Sequence, residues 1–161
     1  VEYEAQAPMK LEALAASDLT PRLPLRVGDG ESDRRERLED VAKPYEYELY
    51  EEGPGLILDP VATFDEIVED IRTGVAKPRI AGRFHATFVD MLAEAAHVVA
   101  EARGIDLIAL SGGTFQNRSV LEGLMDELER RNLKAIMHTA TPPGDGCVAL
   151  GQAAVAKARW T

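Results

Sequence analysis

The sequence predicts an α/β fold, in which a β-hairpin and a helical stretch precede β-α-β-α parallel units, all within one mixed sheet. Three observations carry this prediction. Residues 45–50 alternate with a period of two, residues 64–103 hold apolar side chains at helical spacing, and residues 107–158 run short strand, helix, short strand, helix. That last order argues for neighbouring parallel strands joined by a crossover.

The elements follow in chain order. Met9, Leu11, Leu14 and Ala15 form a modest apolar stripe behind Pro8, which a first helical turn tolerates, so a helix is expected over 7–16. Residues 20–43 carry Pro21, Pro24, Gly28, Gly30 and the charge run 31–40 without periodicity, which reads as a surface connection with freedom to move. Tyr45, Tyr47 and Leu49 alternate with Glu46, Glu48 and Tyr50, and a Gly-Pro-Gly turn leads to Leu56-Ile57-Leu58, giving a hairpin over 44–58. Phe64, Ile67, Val68, Ile71 and Val75 mark the buried face of a helix capped by Thr63, with Asp65, Glu66, Glu69 and Asp70 on the opposite face. A longer helix spans 79–103, striped by Phe84, Phe88, Leu92, Ala95, Val99 and Ala102 and stopped by Gly104. Leu107–Leu110 is a continuous apolar run, as expected of a strand covered on both faces. A helix over 117–131 buries Val120, Leu121, Leu124, Met125 and Leu128, a strand follows over 134–138, and an Ala-rich helix over 146–158 closes the chain.

Composition narrows the function. The 161 residues suffice for one domain's core or one lobe of a larger domain. Eighteen basic against 28 acidic residues give a formal charge of −10, which disfavours a nucleic-acid grip or an anionic membrane surface, since both need clustered cations. A lone cysteine, Cys147, leaves no disulfide framework and no Cys-based zinc site within these residues. The chain begins with Val1 and shows neither a signal segment nor a membrane-length apolar run, so the expectation is a cytoplasmic protein cut from a longer chain.

Two loops leave the carboxyl ends of the parallel strands, residues 111–117 (Ser-Gly-Gly-Thr-Phe-Gln-Asn) and 139–146 (Thr-Ala-Thr-Pro-Pro-Gly-Asp-Gly). In an open parallel sheet both emerge on the edge where ligands bind. Gly112 and Gly113 let backbone N–H groups approach a phosphate at a helix start, Asn117 can contact a sugar or base, and Asp145 suits a divalent cation. Each also has a purely structural use: a tight βα turn for the glycines, and a helix cap for Asn117 or Asp145. His85 and His97 have no partner at metal-binding spacing and read as structural or surface residues. His138 ends a strand near the Asp145 loop and is the best placed of the three, with packing its default role. Cys147 reads as a small buried thiol by default, with a nucleophile as the alternative.

The string Ser111–Arg118, the Pro142-Pro143-Gly144-Asp145-Gly146 loop and Ala149–Ala153 resemble the C-terminal part of the hydrogenase maturation carbamoyltransferases, the HypF family. Ala81-Gly82-Arg83-Phe84-His85 resembles that family's Ala-Arg-Phe-His stretch, and residues 1–7 resemble its Tyr-Glu-Gly-Gln-Ala segment, so the likeness covers all but the 20–43 connection. The resemblance implies a ribonuclease-H-like lobe of the actin-like ATPase (ASKHA) superfamily, here a single C-terminal lobe over 1–161. It implies transfer of a carbamoyl group, from carbamoyl-adenylate made with ATP, to the C-terminal cysteine of the partner protein HypE. That step leads to the cyanide ligand of nickel–iron hydrogenase. Carried over by motif, Gly112 and Gly113 would face the nucleotide phosphate, Asn117 the adenosine and Gln6 the ribose, while Asp145 would bind a divalent metal ion.

The sequence departs from the family pattern at three positions: Gly144 replaces an Asn, Cys147 a second glycine, and Ala5 a glycine. The family's His-x-x-x-His pair belongs to the other lobe, and no such spacing occurs here. The isolated chain is therefore expected to lack transfer activity and to need the remaining modules of the enzyme. A lone lobe would also expose an apolar inter-lobe face able to pair two copies. Alternatives are a tRNA threonylcarbamoyl or small-molecule O-carbamoyl transferase lobe, and a non-catalytic interaction module. The acidic balance disfavours the tRNA substrate.

Overall fold

The computed structural model describes residues 6–19, 43–53 and 55–160. The expected connection over 20–43 lies outside the described residues except for Lys43, as do residues 1–5 of the N-terminal motif. The chain divides into two compact units, Val1–Ala95 and Ala96–Thr161.

The first unit holds α1 (Gln6–Leu19), the strands β1 (Glu48–Glu52) and β2 (Gly55–Asp59), α2 (Val61–Arg72) and most of α3 (Lys77–Arg103), which continues into the second unit. The hairpin is antiparallel, with Glu48 opposite Asp59 and Glu52 opposite Gly55. It begins later than the alternation predicts. Residues 45–47 belong to no strand, and side chains of α2 and α3 take backbone hydrogen bonds of Tyr45 and Glu46. Tyr45 N donates to Thr87 Oγ1 (2.7 Å), Glu46 N donates to Glu66 Oε1 (2.9 Å), and Glu46 O accepts from Thr63 Oγ1 (2.7 Å). Backbone polar groups must be satisfied somewhere, and here side chains replace a ladder.

Thr63 is thus not the cap of α2. It is buried inside the helix, and Asp59 Oδ1 accepts from Val61 N at the true start (2.9 Å). The polarity of α2 departs in part from expectation: Asp65 and Glu69 are exposed and Ile67 is half-buried, but other positions exchange faces. Phe64 and Ile71 are 56% and 62% exposed, with Val68 beside them. Glu66 and Asp70, read from sequence as solvent-facing, turn towards Arg83 of α3, whose guanidinium binds Glu66 Oε2 (2.9 Å) and Asp70 Oδ2 (2.7 Å). Arg83 Nε donates to Lys43 O, and its guanidinium carbon lies 3.8 Å from the centre of the Tyr45 ring. Tyr45, only 2% exposed, donates its hydroxyl to Asp70 Oδ2 (2.8 Å). A charged fork with two carboxylates and an aromatic face outcompetes an apolar stripe for that position. α2 also stops at Arg72, since Thr73 caps it and Gly74 turns with φ of +79°.

α3 buries Ala81, His85, Thr87, Val89, Met91, Ala93 and Ala100 rather than the phenylalanine stripe. Phe84 and Phe88 instead stack on each other, ring centres 6.4 Å apart. His85 is structural, its Nδ1 paired with Ala81 O at 2.8 Å. The helix ends at Gly104 as expected: with φ of +63°, Gly104 N donates to Glu101 O and Ile105 N to Ala100 O, a Schellman closure.

The second unit contains β3 (Leu107–Leu110), a 3₁₀ turn at Gly113–Gln116, α4 (Arg118–Arg130), β4 (Lys134–Met137), a 3₁₀ turn at Asp145–Cys147, and α5 (Val148–Trp160). β3 and β4 are parallel, in register from Leu107↔Lys134 to Leu110↔Met137. Among the described residues they form a sheet of their own, separate from the hairpin, so the single mixed sheet is not observed. Val120, Leu124 and Leu128 are the buried stripe of α4, whereas Met125 reaches solvent. Asn132 (φ +59°) closes α4 in the same way as Gly104 closes α3, bringing Leu133 into the core. The strands are not covered on both faces, for Leu107, Ile136 and Met137 stay exposed. α5 has no buried residue among those described, and Trp160 is 90% exposed.

Two predictions follow from the Arg83 cluster. Arg83→Ala leaves Glu66 and Asp70 without their cation and should lower unfolding free energy by about 2–4 kcal/mol in denaturant titration; Arg83→Lys, which keeps charge but not the fork, should recover part of it. Burial first, then the bond to Asp70, raises the Tyr45 phenol well above its usual range. Because the folded value exceeds the unfolded one, this stabilisation is complete below about pH 10 and is lost as pH climbs beyond it. The melting temperature should therefore fall more steeply above pH 10 than it does in Tyr45→Phe.

Candidate functional site

The parallel ladder decides the geometry of the second unit's loops. Leu110 and Met137 are the last register pair, so the residues that follow them, Ser111 and His138, leave adjacent strand tips side by side. Ser111 Oγ and His138 Nε2 lie 2.9 Å apart, and His138 Nδ1 lies 3.2 Å from Thr141 Oγ1. One residue further on, Gly112 N donates to Pro143 O at 2.8 Å, a direct backbone tie between the two loops.

Gly112 has φ of +115°, a conformation that side chains rarely tolerate, which is the physical demand for glycine at this turn. A Cβ added at Gly112 or Gly113 would meet nothing within 4 Å, so open space lies over both. An anion can approach the backbone here through the N–H of Gly113, where the 3₁₀ turn begins, while the N–H of Gly112 is given to Pro143 O. Asn117 is the N-cap of α4, its Oδ1 accepting from Val120 N at 3.1 Å. The structural use of Asn117 is thus observed.

Gly144 packs directly on the first loop. A Cβ there would stand 3.1 Å from Gln116 Nε2 and 3.3 Å from Gly113 Cα. The asparagine usual in the resembled family at this position would displace Gln116, so this departure is coupled to the closeness of the two loops. Asp145 follows immediately as the first residue of its 3₁₀ turn, exposed and not serving as the cap of α5. Among the described residues no three His, Cys, Asp or Glu side chains gather as a metal cage. One exposed carboxylate beside an anion cradle suits a hard divalent cation that keeps most of its waters and shares phosphate oxygens. Cys147, half-buried, donates its thiol to Gly144 O (3.4 Å) within the same turn.

Beneath the loops, Leu110, Phe115, Leu121, Met137 and Pro143 line a recess of about 130 Å³ whose polar groups are Gln116 and His138. Gly112, Gly113, Asn117 and Asp145 are therefore brought to one edge by their own unit. Gln6 is the first residue of α1 in the other unit, and its side chain lies outside the described ones. The direct contact of Ser111 with His138 was not anticipated. The signal for it was present: both residues sit one step beyond the ends of strands expected to pair.

Residues 1–152 match the family described as the carbamoyltransferase Kae1-like domain, second subdomain, of HypF. The carbamoyltransferase HypF of Rhizobium leguminosarum bv. viciae is 31% identical over 97% of this chain, and a HypF homolog of Cupriavidus necator is 33% identical over 96%. A full-length HypF solved in the phosphate- and nucleotide-bound form superposes with a TM-score of 0.74 at 30% identity, covering 97% of this chain; T. kodakarensis HypF does so at 0.65 and 26%, covering 94%. The chain spans 17% and 35% of the two curated relatives and 18% and 16% of the two solved chains. Its two tied loops and its end-to-end likeness agree: the chain belongs to the HypF carbamoyltransferase family, as the second subdomain of the Kae1-like domain.

Proposed function

We propose that this chain is the nucleotide-holding half of a HypF carbamoyl-transfer module, a ribonuclease-H-like lobe of the actin-like ATPase type. In this function a carbamoyl group passes from carbamoyl-adenylate to the C-terminal cysteine thiol of HypE, on the way to the cyanide ligand of nickel–iron hydrogenase, in the cytoplasm. The observation that carries the proposal is the 2.8 Å bond from Gly112 N to Pro143 O, which seats the glycine loop and the Asp145 loop against one another. The nucleotide and phosphate bound by the full-length structural relative support the same assignment.

Each residue then has a distinct task. Gly113 offers its backbone N–H to the phosphate, while Gly112, whose N–H is given to Pro143 O, keeps the approach open by having no side chain. Asn117, whose Oδ1 caps α4, contacts the adenosine in this reading. Asp145 would hold a divalent cation, with further protein ligands supplied by the preceding lobe. When bound, such a cation neutralises phosphate charge and polarises the reacting carbonyl. The remaining modules of the enzyme supply carbamoyl-adenylate, and the chain alone does not turn over. The exposed Phe64, Val68 and Ile71 of α2 suit contact with those modules, or pairing of two copies in their absence.

In the complete enzyme, Asp145→Ala should weaken divalent-metal affinity by at least about tenfold and depress carbamoyl transfer; unchanged metal stoichiometry and activity would remove Asp145 from the site. Gly112→Ala forces a side chain to φ of +115° and should cost about 1–3 kcal/mol of local strain. Its expected readout is about tenfold weaker ATP binding by calorimetry, and wild-type affinity would count against a phosphate cradle at this loop.

A further inference from the structure

We propose that His138 is a positioning residue that sets the direction of the Ser111 hydroxyl, so that Ser111 donates its hydrogen to a phosphoryl oxygen of the bound nucleotide. This rests on the nucleotide-lobe assignment and adds two residues to it. The inference comes from a continuous row of polar atoms along the site edge: Thr141 Oγ1, His138 Nδ1, His138 Nε2 and Ser111 Oγ, with spacings of 3.2 Å and 2.9 Å on either side of the ring.

The logic is directional. A neutral imidazole carries one hydrogen, so one ring nitrogen donates and the other accepts. If Nδ1 accepts from the Thr141 hydroxyl, Nε2–H donates to Ser111 Oγ. Ser111 has then received a hydrogen bond, and its own hydrogen is available to point outward. If the tautomer were reversed, Ser111 would spend its hydrogen on Nε2 and present only lone pairs, which repel an anion. The neighbouring Gly112 and Gly113 leave open space that a phosphate would occupy, so the first orientation is the one that suits the site. Chains of bonds that all donate in one sense polarise one another, which strengthens the last donor. The ring is held for this task, since His138 is half-buried and lines the apolar recess with Phe115, Leu121 and Met137.

The test is a double-mutant cycle in the complete enzyme, read by ATP calorimetry and by separate KM and kcat values. Ser111→Ala and His138→Ala should each weaken ATP binding by about tenfold, and the double variant should be no worse than either alone, because both remove one interaction. His138→Gln, whose amide nitrogen reaches the Nε2 position, should stay within about twofold of wild type. His138→Asn, whose amide reaches only the Nδ1 position, should behave as His138→Ala. Additive losses, rescue by Asn rather than Gln, or wild-type ATP affinity in Ser111→Ala would each overturn the proposal. Should His138→Ala not fold, the contrast of Gln with Asn decides it. If Gly112→Ala weakens ATP binding while Ser111→Ala does not, only the role of His138 and Ser111 falls. If neither does, the nucleotide-lobe assignment falls with it.

Discussion

Four register pairs between two short parallel strands, Leu107↔Lys134 to Leu110↔Met137, hold the whole candidate site in place. Parallel strands of equal register deliver their carboxyl ends to the same level, and whatever follows each strand is then a neighbour of whatever follows the other. Ser111 meets His138, Gly112 meets Pro143, and Gly113 meets Gly144. No long-range device is needed to assemble the loops, because the ladder has already counted the residues. Leu110, Val120, Leu124 and Leu128 bury the underside of this arrangement with α4 packed on β4, and a slip of one residue would turn the strand faces over.

The first unit is organised by electrostatics rather than by an apolar seam. Arg83 satisfies two carboxylates of α2, a backbone carbonyl at Lys43 and the face of Tyr45 at once. Burial works against its charge, and the bonds to Glu66 and Asp70 outweigh that, holding the guanidinium above its ordinary pKa. The Ala-Gly-Arg-Phe-His stretch that carries the family likeness thus has a structural explanation. Arg83 nucleates the cluster, and His85 and Thr87 tie α3 to itself and to Tyr45. The consequence is an α2 that leaves Phe64, Val68 and Ile71 exposed.

Much of the secondary structure was legible because its signals are local. Period-two and period-3.6 patterns, Gly104 as a helix stop and the short apolar run at 107–110 all report backbone preferences of nearby residues. The misreadings share a cause. Tyr45 and Tyr47 look like strand residues, yet the side chains of Thr87 and Glu66, as acceptors, and of Thr63, as donor, claim the backbone of Tyr45 and Glu46. Thr63 looks like a cap, but Asp59 stands closer to the first free N–H and Thr63 is drawn to Glu46. In α2, periodicity reports hydrophobicity alone, whereas the partner helix offers a guanidinium.

From its residues alone the chain determined its α/β character, the order of its elements, the glycine and aspartate loops, and its membership of the HypF family. Those properties rest on short-range periodicity and on contiguous motifs, which need no knowledge of what lies opposite. Tertiary structure alone decided that hairpin and parallel pair form separate sheets, which face of α2 turns inward, and that Ser111 touches His138 across 27 positions of sequence. The reason is physical: a burial pattern says that a face wants a partner, while the identity of the partner depends on which distant groups arrive within hydrogen-bonding reach.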